Sequence, residues 1–487
     1  MIHNLKPYPA YKDSGVPWLG KVPEHWEVKR LKRVAKLNPS KSEFTSFLTS
    51  NVDATFLPME RVGVEGGIDT REIKPASDLL NSGFTYFRRG DVLIAKITPC
   101  FENGKGACLE ALPTEIGFGS TEFIVSRPIP SVLSKFFYRI TTLSEFRNLG
   151  ADAMTGAAGQ KRVPMTFVGN FQAAIPSLLE QQRIVNYLDY IDRRIRHYIR
   201  AKKKLIKLLE EQKQAIIHQA VTRGLDPNVK LKPSWVEWLG DIPEHWEVLR
   251  ISHFSKVGNG STPSRSNSAY WSSGTYPWLN SSNVNRGFID SSNQFVTDTA
   301  LKECHLPHIP AGSVLVAITG QGKTRGTAAV LEIEATINQH IAFITPKSNI
   351  ILSEYLQLVL VGAYQTLRAI SDDSGSTKGA LTCEDLKRFK LAIPPLKEQK
   401  NLVAHIRVAT RRLTDTIDST YQEISLLREY RTRLIADVVT GKLDVREAAA
   451  NLSDKSNEIE VEDDFEEETI EESLEEVVTE EMVEGEL

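Results

Sequence analysis

AIPSLLEQQRIVNYL at residues 174–188 recurs as AIPPLKEQKNLVAHI at residues 392–406, an offset of 218 positions. The two copies align without a gap through VTRGLD and VTGKLD, which end at Asp226 and Asp444. A match of this length at a fixed offset is typical of an internal repeat, which decides the architecture. Each copy is interpreted as a globular segment followed by a long helix.

The start of each globular segment is repeated as well. WLGKVPEHWEV begins at Trp18 and WLGDIPEHWEV begins at Trp238. The Glu-His pairs at 24–25 and 244–245 resemble acid–base pairs, but adjacent residues of a strand point to opposite faces. The tryptophan that follows each pair indicates packing. These stretches are therefore predicted to attach each segment to the rest of the fold.

The helices are recognised by their apolar spacing. Pro176 ends a strand-like run, and from Leu178 apolar residues recur at intervals of three and four, as in a coiled-coil seam. A helix of about 37 residues would span roughly 55 Å. Two such seams must be buried, and we expect them to pair antiparallel and to hold the two globular segments apart. The predicted seam residues are Ile184, Leu188, Ile191, Ile195, Leu205, Leu209, Ile216, Leu402, Ile406, Leu413, Leu427 and Leu434.

The globular segments contain short β-branched runs bounded by glycine and proline, which predict an α+β fold with functional loops. The predicted organisation is a first domain at 1–176, a helix at 177–226, a second domain at 227–395, a helix at 396–449 and an acidic tail at 450–487.

Cationic and amide side chains follow the predicted strands of both domains. Arg and Lys pair with guanine, Asn and Gln pair with adenine, and Lys also binds phosphate. We therefore predict DNA contacts in these loops. The candidate residues are Lys96, Asn103, Lys105, Gln160, Lys161, Arg162, Ser264, Arg265, Asn280, Asn283, Asn285, Arg286, Gln321, Lys323 and Arg325.

The formal net charge of −3 hides an asymmetry. Residues 451–487 contain 17 acidic residues and one basic residue, whereas residues 1–450 carry a net charge of +13. A basic body suits a polyanion partner. The tail is predicted to be mostly disordered; it would either shield the basic surface or only increase solubility.

Other classes of protein find little support in the sequence. Four cysteines form no CxxC pair, so no metal site is predicted. GQGKT at 320–324 has alanine at position 317, where a nucleotide-binding loop needs glycine. No catalytic residues are predicted. No apolar run could span a membrane, and a cytoplasmic protein is expected.

Several motifs together resemble the specificity subunit of type I restriction-modification systems. They are the PEHWEV opening, the AIP-x-L-x-EQ block, GDVLIAKITPC, GSTPSRSN, TGQGKTRG and the closing LD, and the resemblance covers roughly residues 15–446. It leaves the acidic tail unexplained.

The resemblance implies two target-recognition domains that each read half of a split, asymmetric DNA sequence. It implies that 177–226 and 396–446 dock two methyltransferase subunits, and that two ATP-driven restriction subunits join them. S-adenosylmethionine, ATP and Mg would be bound by those partners and no cofactor by this chain, which would not be an enzyme by itself.

Two alternatives remain open from the residues alone. A coiled-coil scaffold would bind DNA without sequence preference, but it has no need of two different globular segments. A self-sufficient DNA methyltransferase or nuclease is disfavoured, since neither a methyl-donor loop nor a catalytic tetrad is found in the sequence.

Overall fold

The computed structural model describes residues 5–43, 52–157, 159–320, 323–372 and 379–452, and only the backbone of Arg286. These residues form two compact units. The first comprises the described residues up to Ala201 and those from Gln422 onward, and the second comprises Lys202–Tyr421. We call their globular parts head 1 and head 2. The predicted tail lies outside the described residues from position 453.

Head 1 contains twelve described strands and four described helices. The strands are β1 (Tyr11–Asp13), β2 (Lys21–Pro23), β3 (Glu27–Arg30), β4 (Ala35–Leu37), β5 (Asp53–Leu57), β6 (Ile73–Pro75), β7 (Thr85–Arg88), β8 (Val92–Ala95), β9 (Gly106–Cys108), β10 (Ile116–Gly119), β11 (Phe123–Pro128) and β12 (Gln172–Ile175). The helices are α1 (Ala76–Leu80), α2 (Ser134–Thr141), α3 (Ser144–Asp152) and α4 (Met165–Asn170).

Two four-stranded sheets form the centre of head 1. One has the order β4-β11-β8-β9 and is antiparallel throughout, and the other has the order β6-β5-β10-β7 with β5 and β10 parallel. All four residues of β8 are buried, as expected for an apolar run inside a sheet. Strand β8 follows a turn at Gly90, whose positive φ of 84° favours glycine. The loop after β8 is therefore held on a rigid sheet.

The long helix α5 (Leu178–Arg223) follows head 1 and leads into head 2. The strands of head 2 are β13 (Leu231–Pro233), β14 (Asp241–Pro243), β15 (Glu247–Arg250), β16 (Ser255–Asn259), β17 (Tyr276–Leu279), β18 (Phe288–Ile289), β19 (Gln294–Val296), β20 (Val314–Ala317), β21 (Ala328–Leu331), β22 (Thr336–Ile337), β23 (Ile341–Pro346) and β24 (Lys390–Ile393). Its helices are α6 (Ile251–Phe254), α7 (Asp298–Glu303), α8 (Ser353–Gly362), α9 (Tyr364–Asp372) and α10 (Cys383–Arg388).

Head 2 repeats the central sheet of head 1 with additions. Its five-stranded sheet has the order β16-β23-β20-β21-β18, and the antiparallel core β16-β23-β20-β21 corresponds to β4-β11-β8-β9. A separate three-stranded sheet has the order β19-β17-β22. The α+β class is therefore confirmed, and the internal repeat extends to the order of the strands.

The second long helix, α11 (Leu396–Val439), is followed by the short α12 (Arg446–Ala450). Helix α5 has 46 residues and α11 has 44, so both are longer than the 37 residues that the periodicity predicted. Helix α5 continues beyond its seam through the VTR segment and ends at Arg223, just before Gly224, which has a φ of 74°. Its length is about 69 Å at 1.5 Å per residue.

The predicted seam of α5 is correct in its first half and shifted in its second. Ile184 and Ile195 are buried, but Leu205 is 38% exposed while Ile206 is 5% exposed. Buried isoleucines recur every eleven residues, at 184, 195, 206 and 217. A strict heptad drifts about 20° per repeat on a straight helix, so after three heptads Leu205 is about 60° off the buried face and Ile206 only about 40°. The prediction of Leu205 as a seam residue is wrong for this reason.

The other seam residues fall into two groups. Leu188, Ile191, Leu402, Ile406 and Leu434 are buried, and Leu209, Ile216, Leu413 and Leu427 are half-buried. In the middle of α11 the buried positions are Ile417, Thr420 and Ile424, each less than 9% exposed. Heptad steps from Leu402 reach positions 416 and 423, and the buried residues Ile417 and Ile424 each lie one residue further along. The same departure from the heptad register therefore explains their burial.

The two helices run antiparallel within each unit. In the first unit Asp192 of α5 binds Arg431 of α11. His25, which binds Glu180 at the start of α5, lies beside Tyr8, and the Arg446 guanidinium beyond the end of α11 lies 5.0 Å from the centre of the Tyr8 ring. In the second unit Gly224 lies beside Glu398 at the start of α11. Contacts that join the start of one helix to the end of the other require opposite directions.

The repeated Glu-His-Trp triplets attach each head to the long helix that follows it. Trp26 and Trp246 are fully buried. His25 Nε2 lies 2.9 Å from Glu180 Oε2, and His245 Nε2 lies 2.8 Å from Glu398 Oε2. Each histidine therefore pairs with a glutamate of the helix and not with its own neighbour, in agreement with the structural interpretation of these triplets.

The glutamine after each of these helix glutamates has a matching role. The Gln181 amide accepts from Leu133 N–H at 2.9 Å and donates to the carbonyls of Ser131 and Pro176. Gln399 does the same with Leu352 N–H and the carbonyls of Ile350 and Pro394. Both side chains are fully buried. One glutamine therefore satisfies three backbone groups where head and helix meet.

Candidate nucleic-acid interface

The predicted loops of head 1 lie next to each other at one end of the central sheet. Lys96 directly follows β8, and its carbonyl accepts from Val163 N–H at 2.8 Å. Thr98 N–H donates to the carbonyl of Lys161 at 3.0 Å, and Ile97 forms an isolated β-bridge with Arg162. Backbone hydrogen bonds therefore join the 96–105 loop to the residues around 160–163.

The side chains on these loops differ in their solvent exposure and in their hydrogen-bond partners. Asn103, Gln160 and Lys161 are exposed, and Lys96 and Lys105 are half-buried. Arg162 donates from Nε and Nη2 to both carboxylate oxygens of Glu122 at 2.9 Å. These hydrogen bonds lower the pKa of Glu122 below its ordinary value. The Arg162–Glu122 pair presents a donor and an acceptor side by side.

Head 2 builds the same loop junction with different side chains. Ile318 N–H donates to the carbonyl of His340 at 2.9 Å, as Lys96 N–H does to the carbonyl of Glu122. Leu381 N–H donates to the carbonyl of Ile318 at 2.8 Å, as Val163 N–H does to that of Lys96. His340 therefore occupies the position of Glu122. The backbone frame is shared, whereas the groups displayed on it are not.

A row of polar side chains lies on this junction in head 2. Thr262 donates to Gln339 Oε1 at 2.6 Å, Gln339 Nε2 lies 3.1 Å from His340 Nε2, and Thr319 lies 2.8 Å from His340 Nδ1. Asn285 Nδ2 approaches Thr324 Oγ1 at 3.5 Å, at the limit of a hydrogen bond. None of Thr262, Thr319, Gln339 and His340 was predicted from the sequence. Alignment of TEFIV with QHIAF would have identified the last two as counterparts of residues around Glu122.

Three predicted contacts in head 2 have structural roles. Arg325 is only 4% exposed and pairs with Asp372, so its prediction as a surface contact is wrong. Asn280 and Asn283 form a reciprocal capping box at the start of the 281–286 turn. Their side-chain oxygens accept backbone N–H groups and shape the loop.

Arg265 lies in an aromatic cluster. Its guanidinium carbon is 3.9 Å from the centre of the Trp271 ring and 5.0 Å from that of Trp278, and Nη2 donates to Gln294 at 2.8 Å. Desolvation by these neighbours lowers the pKa of Arg265. Ser264, next to it, is exposed. Stacking fixes the direction of this arginine.

Lys323 is an exposed cation whose Nζ lies 3.9 Å from Glu210 Oε2 on α5. Its carbonyl accepts from the Tyr364 hydroxyl at 2.9 Å. Asn285 is also exposed. Gln321 and the side chain of Arg286 lie outside the described residues.

The described residues contain no group of three or more His, Cys, Asp or Glu side chains that could hold a metal ion. In the same part of the chain, no helix combines the length and apolar character needed to cross a membrane.

Comparison with known proteins identifies the class to which this arrangement belongs. Residues 23–208 and 243–425, more than half of the chain, match the family described as "Type I restriction modification DNA specificity domain". The chain belongs to this family. The two matched ranges correspond to the two copies of the internal repeat.

Particular relatives support the assignment. The chain is 37% identical over 186 residues to the type I restriction enzyme EcoAI specificity subunit of Escherichia coli, covering 38% of this chain and 30% of the relative. It is 24% identical over 447 residues to the putative type I restriction enzyme MjaX specificity subunit of Methanocaldococcus jannaschii, and the match covers 88% of this chain and 96% of the relative. The chain thus spans only about a third of the E. coli relative.

One solved structure has the same fold over nearly the whole chain. It comes from work on complex assembly and conformational transition of the type I R-M system, with a TM-score of 0.63 and 19% identity. The match covers 87% of this chain and 99% of the solved one.

Proposed function

We propose that this protein is the DNA-specificity subunit of a type I restriction-modification complex, and that each head reads one half of a bipartite target. The observation that carries the proposal is the shared loop junction with different side chains. Lys96 and Glu122 in head 1 stand where Ile318 and His340 stand in head 2. A repeated frame with exchanged polar groups suits two readers of different sequences.

The chemistry of these groups fits base edges in the major groove. An arginine or amide can make a bidentate contact, each contributing about 1–3 kcal/mol to discrimination between bases. The Arg162–Glu122 pair offers donors and acceptors in head 1, and the Thr262, Gln339 and His340 row offers them in head 2. Lys161 and Lys323 are exposed cations suited to phosphates.

The proposal assigns catalysis to partner subunits. Two methyltransferase subunits that carry S-adenosylmethionine would dock on the long helices, and two restriction subunits would supply ATP and Mg chemistry. This chain would bind none of these cofactors and would work in the cytoplasm as a non-catalytic reader.

Replacement of head 2 tests the proposal. Exchange of residues 246–393 for the corresponding segment of another family member is expected to change one half of the recognised motif and to leave the other half unchanged. The measurement is the methylated motif of the purified complex on a random DNA library. A matched exchange of head 1 should change only the other half. A change in both halves from either exchange would contradict independent reading.

A further inference from the structure

The middle of α5 is strongly basic. Residues 193–209 contain eight Lys or Arg and no Asp or Glu. The part of this run in the second unit includes Lys203, Lys204 and Lys207. Lys204 and Lys207 are exposed and Lys203 is half-exposed. Their mutual repulsion is not relieved by ion pairs with any residue that the structure describes.

These lysines are continuous with the candidate interface of head 2. Lys203, Lys207 and Glu210 are spaced i, i+4 and i+7, which places them on one face of the helix. Glu210 on that face contacts Lys323 of the loop after β20 at 3.9 Å. The three lysines and Lys323, which we call the lysine track, therefore lie near one another in the second unit, with Glu210 between Lys207 and Lys323.

The fold itself does not require these charges. At the offset of 218 positions, α11 has Tyr421, Gln422 and Ser425 in place of the three lysines. The two helices have similar lengths, 46 and 44 residues, yet only α5 has cations at these positions. The three helix lysines have no cationic counterpart on α11 and no ion-pair partner among the described residues, which points to an external anion.

We infer that the lysine track binds the phosphate backbone of duplex DNA beside the half-site read by head 2. This inference rests on the proposed function. Lys203 and Lys207 are about 6 Å apart along the helix axis, and each strand of the duplex has one phosphate about every 3.4 Å along the duplex axis. The track can therefore contact two or three neighbouring phosphates without reading any base.

The test neutralises the three helix lysines in the full chain, purified with its methyltransferase partner. The triple variant Lys203→Gln, Lys204→Gln, Lys207→Gln is expected to bind the target duplex roughly tenfold to a hundredfold more weakly at 0.1 M salt. The slope of log K against log salt should decrease by about 1.8 to 2.7, because each phosphate that a lysine neutralises adds about 0.9 to the slope. The methylated motif should stay the same.

A matched control replaces three exposed cations of α11, in the triple variant Arg411→Gln, Arg412→Gln, Arg428→Gln. The control should keep the slope of the wild type. Uncharged methylphosphonate linkages beside the half-site of head 2 should weaken binding by the wild type but add nothing to the defect of the lysine variant. The same linkages beside the other half-site should weaken both proteins equally.

Several results would overturn the inference. An unchanged salt slope would exclude phosphate contacts by the track. Loss of complex assembly in the lysine variant would assign the track to a protein partner, and a defect that disappears when residues 453–487 are deleted would assign it to the acidic tail. If the wild type itself showed no preference for any DNA sequence, the proposed function would fail instead.

Discussion

Replacement of Asp192 by alanine is expected to lower the free energy of unfolding of the first unit by about 3–5 kcal/mol. Asp192 is 3% exposed and lies between two arginines. Arg139 Nη1 approaches its carboxylate at 2.6 Å from α2, and Arg431 Nε at 3.0 Å from α11. Loss of the carboxylate would leave Arg139 with Asp189 and Arg431 with Glu65 as the remaining carboxylate partners, and removal of one partner from a buried ion-pair network costs about this much.

The matched control is Thr410→Ala, at the aligned position of α11. Thr410 is 7% exposed, and its hydroxyl donates only to the carbonyl of Ile406, one turn earlier. Its replacement should cost about 1 kcal/mol. Urea unfolding together with hydrogen exchange would locate each loss. Equal losses in the two variants would show that the buried charges do not hold the first unit together.

The same network predicts a dependence on pH. Burial alone would raise the pKa of Asp192, but the charges and hydrogen bonds of Arg139 and Arg431 outweigh it and hold the pKa below its ordinary value. The carboxylate therefore contributes stability above the unfolded pKa of about 3.9, and this contribution is lost as the pH falls through the lower folded value. The difference between wild type and Asp192→Ala should shrink below about pH 4. A difference that stays constant to pH 2 would contradict this account.

Gln181→Leu is expected to destabilise the first unit by about 3–5 kcal/mol, and Gln399→Leu to do the same in the second. Each change leaves one part-buried N–H, one part-buried carbonyl and one buried carbonyl without the glutamine that binds them. Each unsatisfied group costs about 1–3 kcal/mol. Hydrogen exchange of the amides of Leu133 and Leu352 would report the two units separately.

The control for the glutamine variants is Gln182→Leu. Gln182 is exposed and hydrogen-bonds only to Asn186 on its own helix, so its loss should stay within about 0.5 kcal/mol. Gln181→Glu would keep the acceptor for Leu133 N–H but place a carboxylate against the carbonyls of Ser131 and Pro176. It should therefore destabilise the unit as well. Full stability of Gln181→Glu would contradict the assigned hydrogen bonds.

The repeated motifs made the architecture predictable because each motif has the same structural role in both copies of the repeat. Glu-His-Trp and Glu-Gln recur since both heads attach to their helices through the same contacts. The exact register of the seam was harder to predict from the sequence. A heptad and an eleven-residue period differ by only a fraction of a residue per turn, and the choice between Leu205 and Ile206 depends on how straight the helix is.

Individual contacts were harder to predict than the loops that hold them. Arg325 looks like an interface residue in sequence, but the fold buries it against Asp372, far along the chain. His340 looks like an ordinary loop residue until the pairing of β20 with β23 places it opposite Ile318. Which polar side chain faces outward depends on such long-range pairing, and local composition does not record it.

Genome-wide mapping of methylated adenine, in cells with and without this gene and with the methyltransferase partner present in both, tests the central claim most directly. We expect a motif of two short blocks separated by a fixed gap, present only when the gene is present. The same motif without the gene, or a single uninterrupted motif that depends on it, would contradict a two-headed reader.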